Sequence, residues 1–165
     1  MVDRRHGAAE DRTGFDETRN YLTEAVARVV PDRLARRAVT VSVSTDKRAY
    51  EQGEPVEITV EFDNRLPVPV EVPTPSQRRW GWAVDGVLEA TDEKRYVRGE
   101  PLTFAFRGGE TKTLTATWNG RFRRTDGDGL DRSEPAGRGE HTITAFLAID
   151  RGGERPEDST EVRIV

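Results

Sequence analysis

With two histidines and no cysteine, this chain has few residues able to carry covalent or metal chemistry. His6 stands in a charged run and His141 opens an alternating apolar stretch. No acidic residue or second histidine is spaced to complete a metal site or a triad with either. His141 is therefore expected to be a strand residue with an ordinary hydrogen bond. Ser42, Ser44, Ser76, Ser133 and Ser159 lack a Gly-x-Ser-x-Gly elbow, and no phosphate-cradling glycine loop follows a strand and opens a helix. Asp126, Asp128 and Asp131, in TDGDGLDRSE, form the best candidate metal loop. A calcium loop starting at Asp126 needs an oxygen ligand fifth and glycine sixth, where Leu130 and Asp131 stand, so no tight divalent site is expected. The 30 acidic residues are spread so widely that no pair is singled out for acid–base or glycoside chemistry. No catalytic residue, cofactor or metal is expected.

Binding chemistry has better support. Residues 119 to 139 separate two apolar, strand-like runs and hold Arg121, Phe122, Arg123, Arg124 and Arg132. Arginine and aromatic side chains are favoured at protein interfaces, so these five are the candidate contact residues. Loops at the end of a rigid scaffold are where such residues usually sit. The same stretch also reads as a long solvated connection with no partner, and the sequence leaves both readings open.

The elements that must position this stretch follow from the hydrophobic period. Residues 1–14 are charged and unpatterned and are expected to be disordered. In 15–38, Leu22, Ala25, Val26, Val29 and Val30 recur at helical spacing. Pro31 either ends or kinks that amphipathic helix, or opens a second short one through PDRLARRA. After Ala38 the period becomes two and stays two. Val39, Val41 and Val43 alternate with polar residues, as do Val56, Ile58, Val60 and Phe62. Further alternating runs surround Val70, Trp82, Phe104, Trp118, Ala145 and Val162, and Asp85-Gly86 marks a hairpin turn. Seven to nine half-buried strands in series predict an all-β antiparallel sandwich over 39–165. Pro67, Pro69, Glu57 and Glu61 are expected to guard its edges. Val60, Phe62, Trp82, Phe104, Trp118, Ala145 and Leu147 are expected to share its core.

Composition narrows the partners. A length of 165 residues allows one domain with an appendage. A net charge of −4 argues against general nucleic-acid binding. Only three of the 26 basic residues are lysine, a balance that points to a high-salt or GC-rich source. No run approaches the 18 or so apolar residues of a membrane span, and the N-terminus has no apolar core of a signal peptide. The expectation is a cytoplasmic protein.

The segment AYEQGEPVEITVEFDNRLPVPVEV, residues 49–72, has the tyrosine, Gly-Glu turn, alternating strand, asparagine and Pro-Val return of Ig-like binding domains. FRGGETKTLTATWNG then ends a strand in Trp118, and GRGEHTITAFL opens another at Gly139-Glu140. Together these resemble the bacterial intracellular proteinase inhibitor family, with His141 where that family usually has an aromatic residue. The resemblance covers roughly residues 40 to 149. It implies an Ig-like sandwich that docks a loop into a subtilisin-like intracellular serine protease. The functional expectation is a non-catalytic protein-binding module. The alternative is a structural domain that self-associates through its N-terminal helix, and an enzyme using scattered carboxylates is a third class.

Overall fold

The structure, a computed structural model, describes residues 30–88, 99–125, 131–149 and 155–165. The expected disorder of 1–14 and most of the helix expected over 15–38 lie outside these residues. Among the described residues, twelve strands follow one short helix, α1 (Asp32–Ala38). They are β1 (Val39–Thr45), β2 (Ala49–Tyr50), β3 (Val56–Asn64), β4 (Val70–Thr74), β5 (Trp80–Val84) and β6 (Val87–Leu88). Then come β7 (Leu102–Phe106), β8 (Thr111–Trp118), β9 (Arg121–Thr125), β10 (Asp131–Pro135), β11 (Gly139–Leu147) and β12 (Glu157–Ile164). One main sheet runs β1–β3–β8 and the other β2–β12–β11–β5–β6. Among the described residues, every pairing is antiparallel except β2 with β12.

Strict alternation on β3 puts Val56, Ile58, Val60 and Phe62 in the interior, with Glu57 and Glu61 in solvent. Full burial of such a side chain contributes roughly 1.5–3 kcal/mol, so this strand alone contributes about 6–12 kcal/mol before the entropy of ordering is subtracted. Ile143, Ala145 and Leu147 of β11 do the same from the opposite sheet, and Trp82, Phe104 and Trp118 fill the space between. All seven residues expected to form the core are in it. The result is a sandwich, as two antiparallel sheets with one wet face each can form, and its strand order is Ig-like.

Proline 31 precedes α1 with a φ of −58°, the second of its two expected roles. Having no N–H to leave unsatisfied, it costs nothing at a helix start, and its carbonyl accepts from Leu34 (2.8 Å) and Ala35 (2.9 Å). Ala35 and Ala38 are buried, and α1 packs on β4 and β1.

The edges differ from expectation. Glu57 and Glu61 lie on β3, the centre of its sheet, because a central strand with one wet face shows the same alternation as an edge strand. The strands that border the second sheet, β2 and β6, are only two residues long. At β1 the amide of Val43 donates to the Asp158 carboxylate (2.9 Å). Short strands and a capping carboxylate are ordinary edge protection.

Pro67 and Pro69 stand in a bend of the β3–β8 ladder, which resumes as β4–β7. Asp63 faces Thr111 and Val70 faces Phe106, so 64–69 lie opposite the shorter 107–110. Fully buried Asn64 holds the bend. Its amide nitrogen donates to the carbonyls of Val68 (2.9 Å) and Arg107 (2.7 Å), and its oxygen accepts from Leu66 N (3.1 Å). Gly108 passes so near Pro67 that a Cβ there would lie 2.2 Å from its carbonyl oxygen.

Candidate functional site

Residues 119–139 are not one long loop. Their polar sequence shows no apolar alternation, yet β9 and β10 pair with each other, in register from Arg121↔Pro135 to Thr125↔Asp131. Asp126-Gly127 and Asp128-Gly129 are hairpin-turn dipeptides, the local signal from which this arm was legible. Residues 126–130, with most of the candidate metal loop, lie outside the described residues. Asp131 begins β10.

The hairpin is fixed at its root. Gly120, at φ +70°, turns the chain directly after Trp118-Asn119, and its carbonyl accepts from Ala136 N (2.7 Å). Arg121 N donates to Asn119 Oδ1 (3.1 Å), and Gln52 Nε2 donates to the Ala136 carbonyl (3.1 Å). Ala136 is buried beneath. Beyond the root, Arg121 Nε reaches Ser133 Oγ (2.6 Å) and its Nη2 reaches the Ser133 carbonyl (2.8 Å), a cross-strand clamp.

The five expected contact residues separate into two groups. Arg121, Arg123, Arg124 and Arg132 do share the hairpin, where Arg124 and Arg132 are directly opposed. Arg132 is exposed, while Arg121 and Arg123 are half-buried. Phe122, the fifth, is half-buried and packs against the core. Its ring lies 5.5 Å from that of Trp118 and 6.0 Å from the His141 imidazole. The reason is parity: in a strand with arginine on both sides, the one apolar side chain turns inward.

His141 was expected to make one ordinary hydrogen bond, and it makes two short ones. Nδ1 lies 2.6 Å from Asp85 Oδ2 and Nε2 lies 2.7 Å from the Gly137 carbonyl. The ring also meets Trp118 edge-on at 5.6 Å. Asp85 sits in the β5–β6 turn at φ +48°, followed by Gly86 at +79°, the backbone of a tight hairpin turn. Its Oδ1 accepts from Thr142 N (2.9 Å), and its own amide donates to Thr142 O (2.9 Å). Burial works against charge on His141, but the Gly137 carbonyl and the Asp85 carboxylate outweigh it and raise the imidazole above its ordinary value of 6.5. A signal for this existed in the sequence. His141 has the same parity as inward-facing Ile143, Ala145 and Leu147, and an inward imidazole needs partners.

Chemically, the cluster holds a proton and joins elements. Both ring nitrogens are engaged by oxygen acceptors, so neither is presented to an outside nucleophile. Trp118 Nε1 is likewise engaged, donating to the Arg121 carbonyl (3.0 Å). On the outer face of β11 and β12 an open depression is lined by Arg48, Glu140, Thr142, Ser159, Glu161 and Arg163. There acids and arginines alternate along a wet surface, away from the imidazole.

Among solved structures, the chain is similar to the CARDB domain of a Pyrococcus furiosus protein. Its solution structure is 15% identical with a TM-score of 0.47, covering 78% of this chain and 94% of that one. Its crystal structure, in complex with di-metal ions, is 16% identical with a TM-score of 0.46, covering 77% and 92%. A Listeria innocua beta-glucosidase in complex with isofagomine is 14% identical with a TM-score of 0.45; the match covers 76% of this chain and 16% of the enzyme. No curated protein matches the chain. The Ig-like part of the resemblance drawn from residues 49–72, 106–120 and 137–147 agrees with the topology, whereas its narrower part, the proteinase inhibitor family, finds no support among these similarities. The model of a family of unknown function, DUF7974, matches residues 27–165, and the chain belongs to that family.

Proposed function

We propose that this chain is a non-catalytic Ig-like module that binds another protein through the β9–β10 hairpin. The observation that carries this reading is that the hairpin forms a two-stranded sheet of its own, with four arginines on a fixed root. Among the described residues, neither of its strands pairs with a main sheet. A pre-ordered arm loses little conformational freedom on docking, and guanidinium groups recognise carboxylates in a planar, bidentate way. The fitting partner is a protein with an acidic surface. A subtilisin-like intracellular serine protease, drawn from the inhibitor resemblance, is a narrower form of the same reading.

The test compares the full chain with an Arg124→Ser/Arg132→Ser variant, which spares the Arg121–Ser133 clamp. The reading expects one dominant protein captured from source-cell lysate by the parent and lost from the variant. Equal capture by both removes the hairpin from the binding surface. A peptide-hydrolysis assay with an intracellular subtilisin-like protease decides the narrower form separately: inhibition by the parent that weakens in the variant supports it, and unchanged hydrolysis ends it.

A further inference from the structure

We propose that His141 is a proton-operated latch: charged, it ties the exit of the β9–β10 hairpin to the β5–β6 turn, and neutral, it releases that exit at Gly137. The latch concerns how the hairpin is attached and stands whatever the hairpin binds. If the hairpin is a contact surface, the latch regulates how firmly that surface is held.

The argument is one of donor counting. The two partners of the ring, Asp85 Oδ2 at 2.6 Å and the Gly137 carbonyl at 2.7 Å, are both acceptors. A carboxylate and a carbonyl have no proton to donate, and a neutral imidazole has one N–H. Only the imidazolium satisfies both oxygens. In the neutral ring, one nitrogen turns a lone pair toward an oxygen at hydrogen-bonding distance, and one of the two contacts has to open.

Which one opens is set by charge and anchoring. The contact to the carboxylate is the stronger, and Asp85 is held in place by two further hydrogen bonds to the Thr142 backbone. The neutral ring therefore keeps its proton on Nδ1 and loses Gly137. The segment released is short, because the Ala136–Gly120 and Gln52–Ala136 bonds do not involve the imidazole. Gly137 and Gly139, the latter at φ +133°, give this segment the backbone freedom to move.

Among the described residues, the surroundings contribute one facing charge. Trp118 from β8, Phe122 from β9 and Val162, opposite on β12, are uncharged, so Asp85 from the turn is the charged group in contact. Glu140 and Arg163 oppose each other on the outer face, and Arg138 is exposed. The raised affinity of His141 for its proton agrees with the geometry and places release above the ordinary histidine value of 6.5.

The experiment is an NMR titration of the full chain from about pH 5 to about 9, which spans histidine ionisation. The imidazole nitrogens of His141 and the amides of Gly137, Arg138 and Gly139 are followed together. The latch requires a His141 midpoint above the ordinary value. It also requires the shifts and loss of exchange protection at 137–139 to share that midpoint, with Ile143 and Ala145 unchanged. In Asp85→Asn the midpoint falls and the opening moves with it. A midpoint at or below the ordinary value, or amides at 137–139 indifferent to His141, overturns the proposal.

Discussion

Three residues hold positions that tolerate little change, and each has a distinct cost of substitution. Asn64 is a fully buried polar group whose amide satisfies two carbonyls and one N–H in the β3–β4 bend. Asn64→Ala leaves these groups without a partner. An unsatisfied buried group costs about 1–3 kcal/mol, so denaturant unfolding is expected to show a loss of at least that size. A loss below about 0.5 kcal/mol, the surface range, would show that the bend holds itself. Trp118 is fully buried, donates to the Arg121 carbonyl and supports both Phe122 and His141. Trp118→Ala is expected to cost on the order of 3–5 kcal/mol, as large aromatic deletions do. Gly81 presents the opposite case. A Cβ there would lie 2.7 Å from Phe146 Cζ, and the Arg155 guanidinium lies over that ring, 3.9 Å from its centroid. The ring has little room to retreat, so Gly81→Val is expected to lose about 1–3 kcal/mol by overpacking. Phe146→Leu in the same chain should recover part of that loss; independent, additive losses would mean the two do not clash.

Among the elements, β3 and the β9–β10 hairpin show how differently strands can be held. β3 has a partner on both sides and four buried apolar residues. The hairpin is paired only with itself and is joined to the core through Phe122, Trp118 and the root around Gly120 and Ala136. Removing its outer part therefore should not unfold the sandwich. Replacing residues 123–133 by a two-residue turn, with Arg121, Phe122 and Glu134 kept, is expected to change stability by no more than about 1 kcal/mol, since closing a shorter loop offsets part of the lost pairing. Near-ultraviolet circular dichroism should keep its tryptophan signal. A collapse of that signal would place the hairpin inside the cooperative core.

At the scale of the whole molecule, ionisation sets a stability window. The raised value of His141 means its contribution is fully present below the unfolded value of 6.5 and is lost as pH rises through the folded value. Asp46, Glu54 and Glu110 are lowered, chiefly by hydrogen bonds from Tyr50, Lys47 and the Arg107 amide respectively. Their contributions are present above unfolded values of 3.8 and 4.5 and are lost as pH falls. Denaturation midpoints should therefore peak between the carboxylate range and the histidine range, and Asp85→Asn should flatten the alkaline side. A peak above neutral pH that ignores Asp85 would contradict this assignment. The sequence by itself determined the alternating core strands, their inward faces and the Asp85-Gly86 turn, though not the polar strands β9 and β10, because period-two alternation and turn chemistry are local consequences of the pleated backbone. Local patterning could not show that Glu57 and Glu61 sit on a central strand, since a wet face looks the same at the centre and at the edge. Nor could it bring Asp85 to His141, or choose Trp118 and His141 as the rings that Phe122 meets once its parity turns it inward. Those outcomes depend on which strands pair and in what register, and only the packed sandwich decides between pairings that the chain's local preferences leave equal.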